Sequence, residues 1–201
     1  MRAKDIHHLE QALNSLQEST ELCRLLCMAA ERGSIRYLEA AESLCEPEEA
    51  VLAAWHWRLL IPSSPSSRTL AWEDAVVSFS PRTLYKMPPA VRRAVEQASR
   101  TGVWEPHQAV IESCPALRGQ AARTVAELLR QMRLQAEEQR ISAAALGGIL
   151  KRLRLRGPLD QIILELKAAG VISPYLTSVM GTFTGKSPLY DQNPSLVRAS
   201  A

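Results

Sequence analysis

The sequence predicts a mainly α-helical protein with small β-hairpins, an α+β fold in which two similar domains are joined by helices. Three observations support this prediction. Apolar residues recur at helical spacing along the chain, one pattern occurs twice at a fixed offset, and each copy ends in a strand-like run before a proline. We expect an N-terminal part over residues 1–80, a proline-rich connection at 81–90, and a C-terminal part over 91–201.

The first copy covers residues 35–62 and the second covers residues 146–174, and the matched positions from Ile35/Leu146 to Ile61/Ile172 share an offset of 111 without a gap. Each copy reads as a helix, a short turn, a helix that starts at proline, and a strand. The matched positions share their character: Ile35/Leu146, Leu38/Ile149, Leu44/Leu155, Pro47/Pro158, Glu49/Asp160, Val51/Ile162, Leu52/Ile163, Trp55/Leu166, Leu60/Val171 and Ile61/Ile172.

The first half is predicted to hold four helices and a hairpin. The helices cover residues 4–18, 20–32, 35–44 and 47–59. Gly33 ends the second helix, Ser34 can cap the third, and Pro47 starts the fourth because its missing N–H would be unpaired there anyway. Two strands, at 60–62 and 68–72, enclose a Ser/Pro-rich turn and predict a hairpin.

The second half repeats this order after a helical segment. Helices are predicted over residues 89–100, 106–114, 116–139, 143–155 and 158–169. Ser142 can cap the helix that follows it, and Gly170 ends the last one. Strands at 171–173 and 189–190 predict a second hairpin, closed at Asn193-Pro194. The long helix carries an apolar stripe of Leu117, Ala121, Val125, Leu128 and Met132.

Residues 141–195 resemble a winged-helix domain, and residues 20–75 resemble a more diverged one. The stretch Leu164–Ile172 is similar to the end of a winged-helix third helix that passes into the first wing strand. The resemblance covers about two thirds of the chain and implies modules that bind DNA, RNA or protein, usually without catalysis.

Composition and charge narrow the expectations further. The chain has 201 residues with 46% hydrophobic and 22% charged residues, which is ordinary for a folded soluble protein. Its formal net charge is only +3, but residues 118–156 hold nine basic and three acidic residues. No signal peptide or membrane span is evident, and four cysteines form no disulfide framework, so we expect a cytoplasmic protein.

The basic window predicts a nucleic-acid interface in the second half. A phosphate backbone attracts Lys and Arg, whereas base readout requires Arg, Lys, Asn or Gln on the third helix. The candidate contacts are Lys151, Arg152, Arg154, Arg156, Lys186, Gln161, Lys167, Arg123, Arg130 and Arg133. The alternative is a solvated basic helix end that the helix dipole favours.

The helix predicted at 47–59 corresponds to the third helix of the first winged-helix-like copy. It begins with Glu46, Glu48 and Glu49, which would repel phosphates, so we do not expect it to read bases. This helix favours a protein partner instead. Its Trp55 is expected to fill the core, with an aromatic cage around His56 as the alternative.

The cysteines offer a weak metal site. Cys23, Cys27, Cys45 and His56 could form a Cys3His set, with Cys114 as a substitute ligand, but no paired C-x2-C knuckle exists. We favour buried core thiols that bind no metal.

No nucleophile elbow, phosphate-binding loop or zinc-protease motif occurs, so no catalytic residue and no cofactor are predicted. We expect a non-catalytic binding protein, a DNA-binding regulator whose partner is duplex nucleic acid or an acidic protein surface. The alternatives are a protein–protein adaptor or assembly subunit and a cysteine-based redox or metal sensor. The sequence does not decide the oligomeric state, and a homodimer is one option.

Overall fold

The computed structural model describes residues 3–13, 20–63, 71–72, 75–155, 157–175 and 187–197. Most of these residues are helical, and two antiparallel sheets of three strands each complete the described fold, which confirms the predicted α+β class. The elements in chain order are α1 (Ala3–Leu13), α2 (Thr20–Arg32), β1 (Ser34–Arg36), α3 (Tyr37–Ser43), α4 (Pro47–His56), β2 (Ile61–Ser63), β3 (Leu84–Lys86), α5 (Pro89–Thr101), α6 (Pro106–Ser113), a 3-10 turn (Pro115–Leu117), α7 (Ala122–Leu134), β4 (Arg140–Ser142), α8 (Ala143–Arg152), α9 (Leu159–Ala168), β5 (Ile172–Pro174), β6 (Leu189–Gln192) and α10 (Pro194–Val197).

The chain forms two compact units. Unit 1 comprises Met1–Arg68 and Ala75–Glu105, and unit 2 comprises Thr69–Asp74 and Pro106–Ala201. Residues 81–90, expected to connect two domains, instead contain β3 and the start of α5 within unit 1. Pro89 is the first residue of α5, a position that tolerates proline, and α5 packs against α1 and α2. In the described part of the chain, no helix is long and apolar enough to cross a bilayer.

In unit 1, β3 lies between β1 and β2. Tyr85 at its centre is fully buried and pairs with Ile35 on one side and Pro62 on the other. Its hydroxyl donates a hydrogen bond of 2.7 Å to the carbonyl of Ser78. The sheet tolerates Pro62 because β2 is an edge strand. A missing N–H on the open side of an edge strand removes no hydrogen bond between strands.

Unit 1 departs from the sequence prediction at two places. Ser34 does not cap a helix but starts β1, so α3 begins only at Tyr37. The strand predicted at 68–72 is also wrong where it can be assessed, because Ala71 and Trp72 lie in no strand, and residues 68–70 fall outside the described residues. Trp72 is buried in unit 2, where its backbone N–H donates to Ser173 Oγ at 2.9 Å. The partner of β2 is β3, more than twenty residues further along the chain.

Unit 2 repeats this sheet with β6 between β4 and β5. Tyr190 pairs with Ile141 on one side and Pro174 on the other, and the β5–β6 pairing confirms the predicted second hairpin. Ser142 caps α8 as predicted, since its hydroxyl accepts the N–H of Ala145 at 3.1 Å. The order of strand, two helices and two strands is therefore the same in both units.

The long helix predicted at 116–139 is shorter in the structure. Pro115–Leu117 forms a 3-10 turn and Gly119 adopts a positive φ of 83°, so α7 starts only at Ala122. Its stripe is buried at Val125, Leu128 and Met132, whereas Ala121 is exposed before the helix begins.

The sheets give the correct alignment of the two copies. Tyr85 and Tyr190 are equivalent, which pairs Ile35 with Ile141 rather than with Leu146. Helices α4 and α9 both have 10 residues and start at 47 and 159, which pairs Leu52 with Leu164 rather than with Ile163. Between these anchors unit 2 is six residues longer, because α8 has 10 residues where α3 has 7 and because residues 153–158 replace 44–46. The ungapped offset of 111 is wrong for this reason.

Candidate nucleic-acid interface

The basic residues predicted to bind phosphate lie where unit 2 is longer than unit 1. Lys151 and Arg152 end α8, Arg154 follows in the turn, and all three are exposed. We call these three residues the basic segment. None of them lies within 4.0 Å of a carboxylate oxygen among the described residues, so their charges are not neutralised by an ion pair there. The carbonyl end of the helix dipole favours cations at this position.

A Schellman motif ends α8 and fixes the backbone of the basic segment. The Arg154 N–H donates to the Lys151 carbonyl and the Leu155 N–H to the Leu150 carbonyl, each at 3.1 Å. Arg154 therefore adopts a left-handed φ of 51°, a conformation that glycine takes with less strain. The sequence places a charged residue where the backbone prefers glycine.

The arginines of α7 are also exposed, and Arg130 forms an ion pair on the same helix. Arg130 forms two hydrogen bonds of 2.6 Å with the two oxygens of Glu127. These bonds, helped by Gln131 and by the charge of Arg152, lower the pKa of the Glu127 carboxyl from 4.5 to about 2. The field of Arg152 thus reaches Glu127, which brings the basic segment and the middle of α7 into one neighbourhood.

The other two arginines of α7 occupy its ends. Arg123 is exposed in the first turn. Arg133 is exposed in the last turn and lines a cleft of about 320 Å³ together with Glu138, Gln139 and Gln192. The structure therefore brings Arg130 close to Arg152 and places Arg123 and Arg133 in the first and last turns of the same helix.

Helix α9 presents little that could read bases. Gln161 donates to Glu165 at 3.1 Å, and Lys167 is half-buried. Asp160 is exposed at the start of the helix, and Leu164 is 61% exposed in its middle. The carboxylate of Asp160 would be repelled by the phosphates that flank a groove, which disfavours base readout by this face.

Helix α4 shows the same pattern more strongly. Glu46, Glu48 and Glu49 are exposed at its start. The ungapped offset matched Leu52 with the buried Ile163. Leu52 is 47% exposed, and its counterpart in the corrected alignment is the exposed Leu164. The two exposed leucines occupy equivalent positions only in the corrected alignment.

The aromatic residues at the end of this helix form no cage. Trp55 is half-buried rather than in the core, and the Arg58 guanidinium lies 3.6 Å from the centre of its ring. His56 is exposed and meets the Trp57 ring edge-on at 5.4 Å. A residue that stacks on Trp55 already occupies the face a cationic ligand would need.

The proposed metal ligands are not brought together. Cys23 and Cys27 are buried in α2, whereas Cys45 is exposed in the turn before α4. Within the described ranges, no group of three or more His, Cys, Asp or Glu side chains could hold a metal ion. Burial raises the pKa of the Cys27 thiol to about 11 and that of Cys114 to about 12, so both are protonated at neutral pH.

Two candidate contacts, Arg156 and Lys186, lie outside the described residues. The part of the candidate interface that the structure describes therefore consists of the basic segment and the neighbouring part of α7.

A protein-family model matches residues 7–200, nearly the whole chain, so the chain belongs to that family. The family match names no activity, ligand or partner. No curated protein and no solved structure matches the chain.

Proposed function

We propose that the chain is a non-catalytic binding protein built from two winged-helix modules, and that unit 2 binds nucleic acid through the phosphate backbone. The observation that carries the proposal is the six-residue extension of unit 2, which adds exposed cations at the end of α8. Unit 1 has the same elements without this extension and without its charge.

The winged-helix part of the proposal rests on the order of elements. Each unit has a helix, a strand, two further helices and two strands, and the last strand lies in the middle of the sheet. This order is the one expected from the resemblance of residues 141–195 to a winged helix. Fold alone does not choose a ligand, so the function is argued from charge.

The charge distribution favours phosphate contacts over sequence recognition. The basic segment lies on the second helix of the module, while the exposed face of the third helix bears Asp160 and Leu164. Contacts to phosphates hold a protein on a duplex without reading its sequence. We therefore expect similar affinity for duplexes of unrelated sequence and a strong dependence on salt.

The test is a titration of labelled random duplex, followed by fluorescence anisotropy over a salt series. The double variant Arg152→Ala/Arg154→Ala should weaken binding about tenfold or more at low salt and flatten the log-affinity slope by about two units, one for each lost contact. The matched control Arg93→Ala/Arg100→Ala removes the same charge from exposed positions on α5 and should leave binding within about twofold. Equal losses in both variants would point to net charge alone and would contradict the proposed interface.

A second candidate function is that of a protein–protein adaptor. It is favoured by the exposed leucines at equivalent positions of both third helices, 47% exposed at Leu52 and 61% at Leu164. Surfaces that expose apolar residues inside a polar rim mark protein contacts more often than nucleic-acid contacts. If the folded protein binds no duplex at low salt, the adaptor becomes the better assignment.

A further inference from the structure

Helices α3 and α4 carry a concentrated negative charge. Residues 37–57 contain five glutamates and no lysine or arginine. Glu39 is used locally, since it accepts the Arg36 N–H and pairs with Arg32 at 3.4 Å. Glu42, Glu46 and Glu49 are exposed and form no ion pair with any residue the structure describes.

The same helices expose two large apolar side chains. Leu38 is 45% exposed on α3, and Leu52 is 47% exposed on α4. Leu52 follows Glu48 by one helical turn and so shares its face of the helix. The acidic surface, as we name it, consists of Leu38, Glu42, Glu46, Glu48, Glu49 and Leu52. Exposed leucines on helices that also carry exposed charges are the composition of a docking surface.

The complementary surface lies on the equivalent helices of unit 2. Residues 143–167 contain five basic and two acidic residues, against none and five for residues 37–57. The basic segment alternates with half-buried leucines, Leu153 and Leu155, and its charges have no carboxylate within ion-pair distance in the described ranges. One chain thus carries two surfaces of opposite charge at corresponding places of two similar modules.

We propose that the acidic surface is covered by the basic segment of a second copy of this chain. A reciprocal exchange would pair unit 1 of each copy with unit 2 of the other and make the same contact twice, as a two-fold axis requires. Charge complementarity of this kind steers association and fixes its register, while the leucines at the centre lose contact with water. The proposal goes beyond nucleic-acid binding and does not depend on it. The two are alternative uses of the basic segment, because a segment covered by the acidic surface of a second copy cannot contact phosphates at the same time.

The experiment is sedimentation velocity of the full chain over a concentration series at about 0.05 M and about 0.5 M salt, since screening separates charge-driven from apolar association. We expect a dimer that weakens at high salt. Glu48→Lys/Glu49→Lys and Arg152→Glu/Arg154→Glu should each weaken dimerisation about tenfold or more, and combining all four changes should restore much of the loss because opposite charges again face each other.

A matched pair of leucine variants locates the contact. Leu52→Ser should weaken the dimer, whereas Leu164→Ser, the equivalent exposed position of unit 2, should not. Circular dichroism verifies folding, and Glu48→Gln/Glu49→Gln replaces the charge reversal if that variant unfolds. A monomer at every concentration at low salt, a dimer indifferent to the charge reversals, or a failure of the combined variant to recover would overturn the proposal. Duplex binding by a protein that stays monomeric would overturn it while leaving the nucleic-acid function intact.

Discussion

The α3–α4 pair of unit 1 and the α8–α9 pair of unit 2 occupy the same place beside two sheets of the same strand order, yet their charges are opposite. Their buried positions agree, because Val51 corresponds to Ile163 and Ala54 to Leu166, and all four are buried. The exposed positions differ. The core of each module thus fixes where the helices lie, while the surface residues and the length of one turn decide what the module attracts.

The largest expected difference between the units concerns their central tyrosines. Tyr85 is fully buried, while Tyr190 is only half-buried at the same place in its sheet. We expect Tyr85→Ala to lower the free energy of unfolding by about 3–5 kcal/mol and Tyr190→Ala by about half as much, because the smaller cavity opens to solvent. Urea denaturation followed by circular dichroism measures both.

A conservative variant separates packing from hydrogen bonding at the buried site. Tyr85→Phe keeps the ring but removes the 2.7 Å hydrogen bond to Ser78, and should cost about 1 kcal/mol. Equal losses for the two alanine variants would contradict the difference in burial between Tyr85 and Tyr190.

Local signals predicted the ends of elements well. Pro47 starts α4, Ser142 caps α8 and Gly33 follows α2 with a φ of 74°, since each of these depends only on neighbours in the sequence. Such positions satisfy or terminate backbone hydrogen bonds within one turn. The second strand of the first hairpin was missed because its partner is far along the chain and is selected by the burial of Tyr85, not by a turn.

The surface was harder to predict than the fold. The ungapped alignment matched Leu38 and Leu52 with Ile149 and Ile163, which are buried, although both leucines are exposed, because it ignored the six residues that lengthen unit 2. Those same residues include the basic segment. The charge cluster itself was visible in the sequence, but its position as an extension of the module follows only from the strand registers.

A smaller effect is expected where an acidic residue sits within the basic neighbourhood. Glu127→Gln releases Arg130 from its two 2.6 Å bonds and adds one uncompensated positive charge beside Arg152. We expect duplex affinity to rise by about three- to tenfold at low salt, with the log-affinity slope steeper by about one unit. The anisotropy titration measures this, and unchanged affinity would exclude the middle of α7 from the interface.

The same ion pair gives a pH dependence of known sign. The folded pKa of Glu127, about 2, lies below its ordinary value of 4.5. The contribution of the pair to stability is therefore complete above about pH 4.5 and is lost as the pH falls through 2. The Gln variant should lack this acid-dependent part of the unfolding curve.

The smallest effect is expected at two arginines that end helices in the left-handed conformation. Arg154 closes α8 with a φ of 51° and Arg58 closes α4 with a φ of 54°, both in Schellman hydrogen-bond patterns. Glycine adopts this conformation without a Cβ clash, so Arg154→Gly should raise the free energy of unfolding by about 0.5–1 kcal/mol. It should also weaken duplex binding about threefold or more through the lost phosphate contact.

Arg58→Gly relieves the same strain but loses the guanidinium that lies 3.6 Å above the Trp55 ring, a contact worth about 0.5–1 kcal/mol, so its stability should be nearly unchanged. Urea denaturation and the duplex titration, applied to both variants, measure the difference. If Arg154→Gly raised the free energy of unfolding and left duplex affinity unchanged, Arg154 would not be a phosphate contact. If Arg58→Gly raised the free energy of unfolding by the same amount, the stacking of Arg58 on Trp55 would contribute nothing to stability.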